Sequence, residues 1–219
     1  MNALRIAAAQ LNFCVGDISG NKNKIIKYIK KAKDNKADIV CFPELSITGY
    51  PPEDLLLNGS FVEQNIKALD EIKKHTKSIT AIVGFADKKN DLLNAAAIMS
   101  NGKLVDIYHK HHLPNYGVFD EKRYFKRGRT TPVYELDNIR FGVNICEDIW
   151  IKGDPARAQS LSGGAGLVIN ISSSPYYASK VQSREQMLRK RASDYRCYVV
   201  FCNLVGGQDE LIFDGHSCV

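Results

Sequence analysis

The 219-residue chain is 44% hydrophobic and 25% charged, enough apolar surface to close one substantial core and too little bias for a disordered or fibrous protein. Lysine and arginine number 30 against 24 aspartates and glutamates, a net charge of +6. Seven of the lysines fall between Gly20 and Ala37 on what reads as the solvated face of one helix, so the surplus is no nucleic-acid footprint. No apolar run approaches the roughly 20 residues of a bilayer span, and the start of the chain lacks the pattern of a secretion signal. Six cysteines without a C-x-x-C pair or zinc spacing fit free thiols, and a cytoplasmic protein with no membrane partner is expected.

Residues 4–10 read as a short buried strand, followed by the lysine-rich helix, whose Ile25, Ile26, Ile29 and Ala32 recur at helical spacing. An apolar strand at 39–42 is stopped by Pro43, which makes an α/β opening. A second amphipathic helix at 61–76 leads to a strand at 79–85, and residues 94–99 and 104–108 form a hairpin turning at Asn101-Gly102. Residues 113–129 are polar, aromatic-rich and without period, the kind of excursion that carries function on a compact domain. Two more strand–helix–strand units follow: strand 139–146, helix 156–163, strand 167–171, then a basic helix at 180–194 and a strand at 198–203. A last strand at 211–219 is expected to enter the main sheet structure.

Gly163, Gly164 and Gly166 lead into a strand rather than from a strand into a helix, which suits a helix end and turn and not a phosphate loop. His109, His111 and His112 have no carboxylate or cysteine at ligand spacing and read as strand-edge residues, so no metal site is expected. The sequence signatures of serine hydrolases, zinc proteases and nucleotide-binding loops are missing. What remains are three segments that each end a predicted strand on a reactive side chain: Phe42-Pro43-Glu44, Tyr108-His109-Lys110 and Asn144-Ile145-Cys146. Strand ends at one sheet edge are where catalytic groups collect. A thiol, a carboxylate and an ammonium brought together supply a nucleophile, a base and a cationic stabiliser, sufficient for acyl transfer from an amide. The lysine charge is expected to lower the thiol pKa and to hold a developing oxyanion.

This trio resembles the Glu–Lys–Cys triad of the nitrilase superfamily of carbon–nitrogen hydrolases. The flanking residues narrow the likeness: Phe42-Pro43-Glu44-Leu45, Thr48-Gly49-Tyr50-Pro51-Pro52, the string from Leu113-Pro114-Asn115-Tyr116 to Lys122-Arg123-Tyr124-Phe125, Cys146-Glu147-Asp148-Ile149-Trp150, and Ser174-Pro175-Tyr176. Together they are similar to the amidase domains of glutamine-dependent NAD synthetases. The resemblance implies an α-β-β-α four-layer sandwich in which Glu44 is the general base, Lys110 the oxyanion stabiliser and Cys146 the nucleophile. It implies further that the Glu147 backbone N–H is a second oxyanion donor and that Glu121 orients Lys110. Tyr50, Tyr116 and Trp150 would wall the pocket, and Ser174 and Lys180 would hold the amino-acid portion of glutamine.

The same resemblance implies no cofactor for this domain. ATP, Mg and deamido-NAD would belong to a synthetase (ATP pyrophosphatase) domain of a longer chain, the partner that consumes the ammonia, within a homo-oligomer. The 219 residues are expected to be such a glutaminase domain shortened at its C-terminal end, with the synthetase domain outside it. Two rivals stay open from the residues alone: a free-standing nitrilase-type amidase acting on another small amide, and a non-catalytic regulatory domain of the same fold.

Overall fold

The computed structural model describes residues 3–219. Helix α1 spans Ile18–Asp34 and buries Ile18, Asn21, Ile25, Ile29 and Ala32 along one stripe, leaving the lysines outward. It starts before the expected position because Asp17 caps it, accepting from Gly20 N at 2.8 Å. Helix α2 spans Gly59–Lys73 with Asn58 as its cap. Both lie on a five-stranded sheet of order β1 (Ile6–Ala8), β2 (Ile39–Cys41), β3 (Thr80–Lys88), β4 (Leu92–Ser100), β5 (Lys103–His109). The first three strands run parallel and the last two antiparallel, with the expected Asn101-Gly102 turn between β4 and β5, both residues at positive φ.

The second sheet has the order β6 (Val133–Leu136), β7 (Ile139–Ile145), β8 (Leu167–Ser172), β9 (Tyr198–Asn203). Between the sheets alternate residues interdigitate: Ile39, Cys41, Ile82, Ala96, Ile98 and Tyr108 from one side meet Phe141, Val143, Ile145, Ile169, Ile171 and Val200 from the other. The intervening residues, such as Val40, Val83 and Phe85, face α1 and α2. Val168, Val199 and Phe201 face α5 (Lys180–Tyr195) through Leu188 and Tyr195. Helix, sheet, sheet, helix is the expected four-layer sandwich.

Two local readings change. The helix expected at 156–163 is present at 156–162, but from Ala158 to Ser162 it is π-helical, closed by Gly163 N donating to Ala158 O at 2.8 Å. The glycines after it do form the helix end and turn, Gly164 at φ +72. The strand expected at 211–219 is shorter and does not join the main sheets as a strand. Instead β11 (Leu211–Asp214) pairs antiparallel with β10 (Val205–Gln208) as a separate hairpin, and one bridge, Phe201 to Cys218, ties the end of the chain to β9. Gly215 and His216 at positive φ break the strand.

Candidate active site

Because β2, β3 and β5 point the same way, their C-terminal ends share one edge, and the C-terminal ends of β7 and β8 meet them across the sandwich. Glu44 follows β2, Lys110 follows β5, Cys146 follows β7 and Ser173 follows β8. The structure brings Glu44, Lys110, Glu121 and Cys146 into one buried cluster. Lys110 Nζ lies 2.6 Å from Glu44 Oε1 and 2.6 Å from Glu121 Oε1, with no solvent contact on its side chain. Glu121 comes from a single helical turn, α3 (Glu121–Tyr124), inside the aperiodic loop. Tyr50 reaches its Oε1 at 3.4 Å.

Glu44 is fixed from several sides. Asn94 Nδ2 donates to its Oε1 at 2.8 Å, Ser173 N to its Oε2 at 3.1 Å, and Ser173 Oγ to its carbonyl at 3.0 Å. Its loop lies hard against β3 at Gly84, where a Cβ would sit 2.4 Å from Pro43 O and 2.5 Å from Leu45 N. Only glycine permits that approach. Cys146 sits on the turn between β7 and a one-turn helix, α4 (Glu147–Trp150), at φ 42° and ψ −102°, a region costly for a side chain and typical of a residue the surroundings force into place.

Asp148 is the clamp between the two halves of the edge. Its Oδ2 accepts from Tyr108 OH at 2.7 Å and Ile145 N at 3.1 Å, and its Oδ1 from His111 N at 3.1 Å and His112 N at 2.8 Å. The residues on either side of Lys110 are thus tied to the turn that carries Cys146.

Electrostatics in this cluster are those of groups removed from water. Burial draws the Lys110 ammonium down, but the Glu121 and Glu44 carboxylates outweigh it and hold its pKa well above the usual lysine value. Burial pushes Glu121 up to about 7, against Lys110 and with Glu44. Burial likewise pushes the Asp148 carboxyl up. For Cys146, burial and then Glu44 raise the thiol well above its ordinary value, and Lys110 opposes them without prevailing. The lysine acts on the thiol in the direction expected from the residue types, but burial and the carboxylates outweigh it.

Cys146 opens onto a cleft of about 400 Å³ lined by Tyr116, Glu147, Trp150, Ser174, Tyr177 and Lys180, among others. Tyr116 OH donates to Glu147 Oε1 at 2.9 Å. Lys180 Nζ lies 3.8 Å from the Trp150 ring centre and 4.8 Å from that of Tyr177. Tyr50 stands apart from this wall. It is buried edge-on to Phe213 and lines, with Glu121, a separate cavity behind the cluster.

The three histidines go to three different partners: His109 to Asp87 Oδ2 at 2.7 Å, His111 to Thr130 O and His112 to Asp154 O, each at 2.8 Å. Among the described residues no three histidine, cysteine or carboxylate groups form a metal-binding set. The site also contains residues that sequence reasoning did not pick out, Asn94, Asp148 and Ser173. Asp148 stood inside the Cys146 to Trp150 string, and Asn94 is the polar start of an otherwise apolar strand. Neither pattern by itself points to a catalytic edge.

The sequence profile of the carbon-nitrogen hydrolases matches residues 5–219. A glutamine-dependent NAD(+) synthetase from Thermotoga maritima is 46% identical over all of this chain, which corresponds to 38% of that protein. One from Aquifex aeolicus is 47% identical over 99% of this chain and 38% of its own length. The chain therefore spans well under half the length of these curated relatives. Among solved structures, glutamine-dependent NAD+ synthetase from Acinetobacter baumannii superposes with a TM-score of 0.91 at 41% identity, covering 98% of this chain and 40% of that one. The Nesterenkonia AN1 amidase of the nitrilase superfamily shares the fold at a TM-score of 0.86 and 24% identity, over 98% of this chain and 81% of its own.

Proposed function

The chain belongs to the carbon–nitrogen hydrolase family, and on that premise we propose that it is a glutaminase domain, hydrolysing the side-chain amide of glutamine through a thioester on Cys146. The observation that carries this reading is a single ammonium, Lys110 Nζ, held 2.6 Å from both Glu44 and Glu121 next to a buried thiol. Because the thiol is protonated at rest, it needs a base at the moment of attack, and Glu44 is the carboxylate whose charge acts on it most strongly.

Glu44 takes the Sγ proton as Sγ bonds to the amide carbon and the carbonyl electron pair moves onto oxygen. Lys110 and the Glu147 N–H, which as the first of its helix has no intrahelical partner, hold that oxyanion. Glu44 then gives the proton to the nitrogen, the C–N bond breaks, and ammonia leaves a γ-glutamyl thioester. Water, losing a proton to Glu44, adds to the thioester. The C–S bond breaks, the proton returns to Sγ, and glutamate departs. Glu121, with Tyr50 on its oxygen, keeps Lys110 pointed at the reacting carbonyl. Tyr116 and Trp150 wall the substrate, and Ser174 and Lys180 take its amino-acid end, the ammonium of Lys180 suiting a carboxylate.

The synthetases that this chain resembles extend far beyond the matched part. We therefore assign the ammonia to a synthetase domain of a longer chain, where ATP, Mg and deamido-NAD would act; no step above passes through them. The test is ammonia release from glutamine by wild type and by Cys146→Ala, together with glutamine-driven and ammonia-driven NAD formation in the longer protein. The reading expects Cys146→Ala to lose the glutamine-driven reactions and keep the ammonia-driven one. Turnover of other small amides in preference to glutamine would instead identify a free-standing amidase, and no turnover of any amide by the folded protein a regulatory domain.

A further inference from the structure

Arg184 is the largest fully buried side chain of the protein, with 0% of its surface exposed. A buried guanidinium is expensive unless paired, and an apolar side chain in its place would usually stabilise as well or better. Its contacts explain what an apolar residue could not do. Nη1 and Nη2 each lie 3.0 Å from an oxygen of Asp214 on β11, Nη2 also reaches Ser174 O at 3.5 Å, and the guanidinium carbon lies 5.5 Å from the Phe201 ring centre on β9. Arg184 stands one helical turn beyond Lys180, at the start of α5. That helix begins at Ser179, in a left-handed conformation and without a side-chain cap, so its first turn is not fixed by capping.

One guanidinium therefore joins the segment carrying Ser174, the helix turn carrying Lys180, and the β10–β11 hairpin. Two further bonds brace the same wall: Asn203 holds both Ser174 N at 2.8 Å and Ser174 O at 3.3 Å, and Tyr176 N donates to Ile212 O at 2.7 Å. Glu44, Lys110 and Cys146 are carried by other elements, following β2, β5 and β7, and Ser173, next to Ser174, ties the wall to Glu44. We propose that Arg184, through Asp214, is a positioning residue that holds Ser174 and Lys180 in the cleft wall and so sets affinity for the amide substrate while leaving the bond-making groups in place. This rests on the glutaminase reading for its kinetic test but not for its structural one.

Arg184→Met keeps the length of the side chain and removes the charge and all its donors. In the complete protein it is expected to raise KM for glutamine about tenfold or more, with kcat falling less than about threefold, since the lost interaction serves binding and not the barrier. Amide hydrogen exchange is expected to quicken at Ser174, Tyr176 and the first turn of α5 and to stay unchanged at Cys146 and Lys110. Arg184→Met leaves Asp214 unpaired, so the double variant Arg184→Met/Asp214→Leu separates stability from positioning. It should regain melting temperature and still show the raised KM and the local exchange. If the double variant is stable with wild-type KM and wild-type exchange in this wall, Arg184 is a plain tether and the proposal is overturned. Exchange that quickens evenly across the protein would overturn it equally. Should the single variant not fold, the double variant and Arg184→Lys give the same comparison. If wild type releases no ammonia from glutamine, the glutaminase reading falls, and the exchange pattern alone decides the role of Arg184.

Discussion

Glu121 offers the sharpest quantitative test of the cluster, through Glu121→Gln, which keeps the size of the side chain and removes its titration. Burial raises the carboxyl from 4.5 to about 7, opposed by Lys110 and reinforced by Glu44. Its Oε2 is buried without a hydrogen-bond partner among the described residues, as suits an oxygen that can carry a proton. A carboxyl whose pKa is higher in the folded than in the unfolded chain favours folding while both states are protonated. That contribution fades as pH rises through the gap, because the unfolded chain gives up its proton first. The distance from 4.5 to about 7, at about 1.4 kcal/mol for each tenfold change, amounts to about 3 kcal/mol lost between acid and neutral pH.

The raised Lys110 and Cys146 titrate above this window and leave it alone, and the raised Asp148 acts in both proteins alike. The difference between wild type and Glu121→Gln therefore reports this carboxyl together with its coupling to Lys110 and Glu44. Denaturant unfolding of both proteins at a series of pH values from about 4 to about 8 measures it. Wild type should lose about 3 kcal/mol relative to the variant across that range. Parallel curves for the two proteins would refute the assignment of a buried, neutral-pH carboxyl at this position.

Lys110→Arg should be nearly as damaging as Lys110→Ala, with turnover down about two to three orders of magnitude, because a planar guanidinium cannot sit where one nitrogen lies 2.6 Å from two carboxylates in a site without solvent; steady-state ammonia release measures it. Gly84→Ala places a methyl 2.4 Å from Pro43 O, so it should destabilise by about 1–3 kcal/mol and lower kcat more than it raises KM, read by thermal melt and kinetics. Cys146→Ala should abolish glutamine hydrolysis, whereas Cys14→Ala, at an exposed cysteine, should leave it unchanged in the same assay.

The sequence showed the elements that repeat with a clear period and ended the decisive strands on the right side chains. Ile25, Ile29 and Ala32 announce α1, and Asn101-Gly102 announces its hairpin, because local geometry alone dictates both. The edge strands β6 and β10 carried no such signal. Val133–Leu136 is partly exposed, Val205–Gln208 contains two glycines, and their pairing depends on neighbours found only in the fold. Glu44, Lys110 and Cys146 could be suspected from the strand ends, yet that they converge follows from β2 and β5 running the same way in one sheet and β7 ending opposite them in the other. Asn94, Asp148 and Arg184 act across 50, about 40 and 30 residues of chain, distances over which no spacing rule operates.

The charge arrangement also decides what kind of cysteine enzyme this edge can be. A thiolate that stands ready needs a cation whose field is not already spent. Here the only ammonium in the cluster among the described residues is held at 2.6 Å by two carboxylates, and the thiol, buried at 3% exposure, is pushed upward by burial and Glu44. Holding the thiol protonated keeps it from reacting with whatever electrophile diffuses in, and it ties nucleophile formation to an arriving carbonyl. In the proposed glutaminase reaction the oxygen of that carbonyl gains charge beside Lys110, and the lysine would exchange part of its interaction with Glu44 for the new anion as Glu44 takes the Sγ proton. Glu121, 2.6 Å from Lys110 Nζ, would in that reaction keep Lys110 from following the oxyanion out of place. On the proposed mechanism the second carboxylate would therefore have a role that neither the thiol nor the first carboxylate could fill. It would let one lysine serve the base before attack and the oxyanion after it.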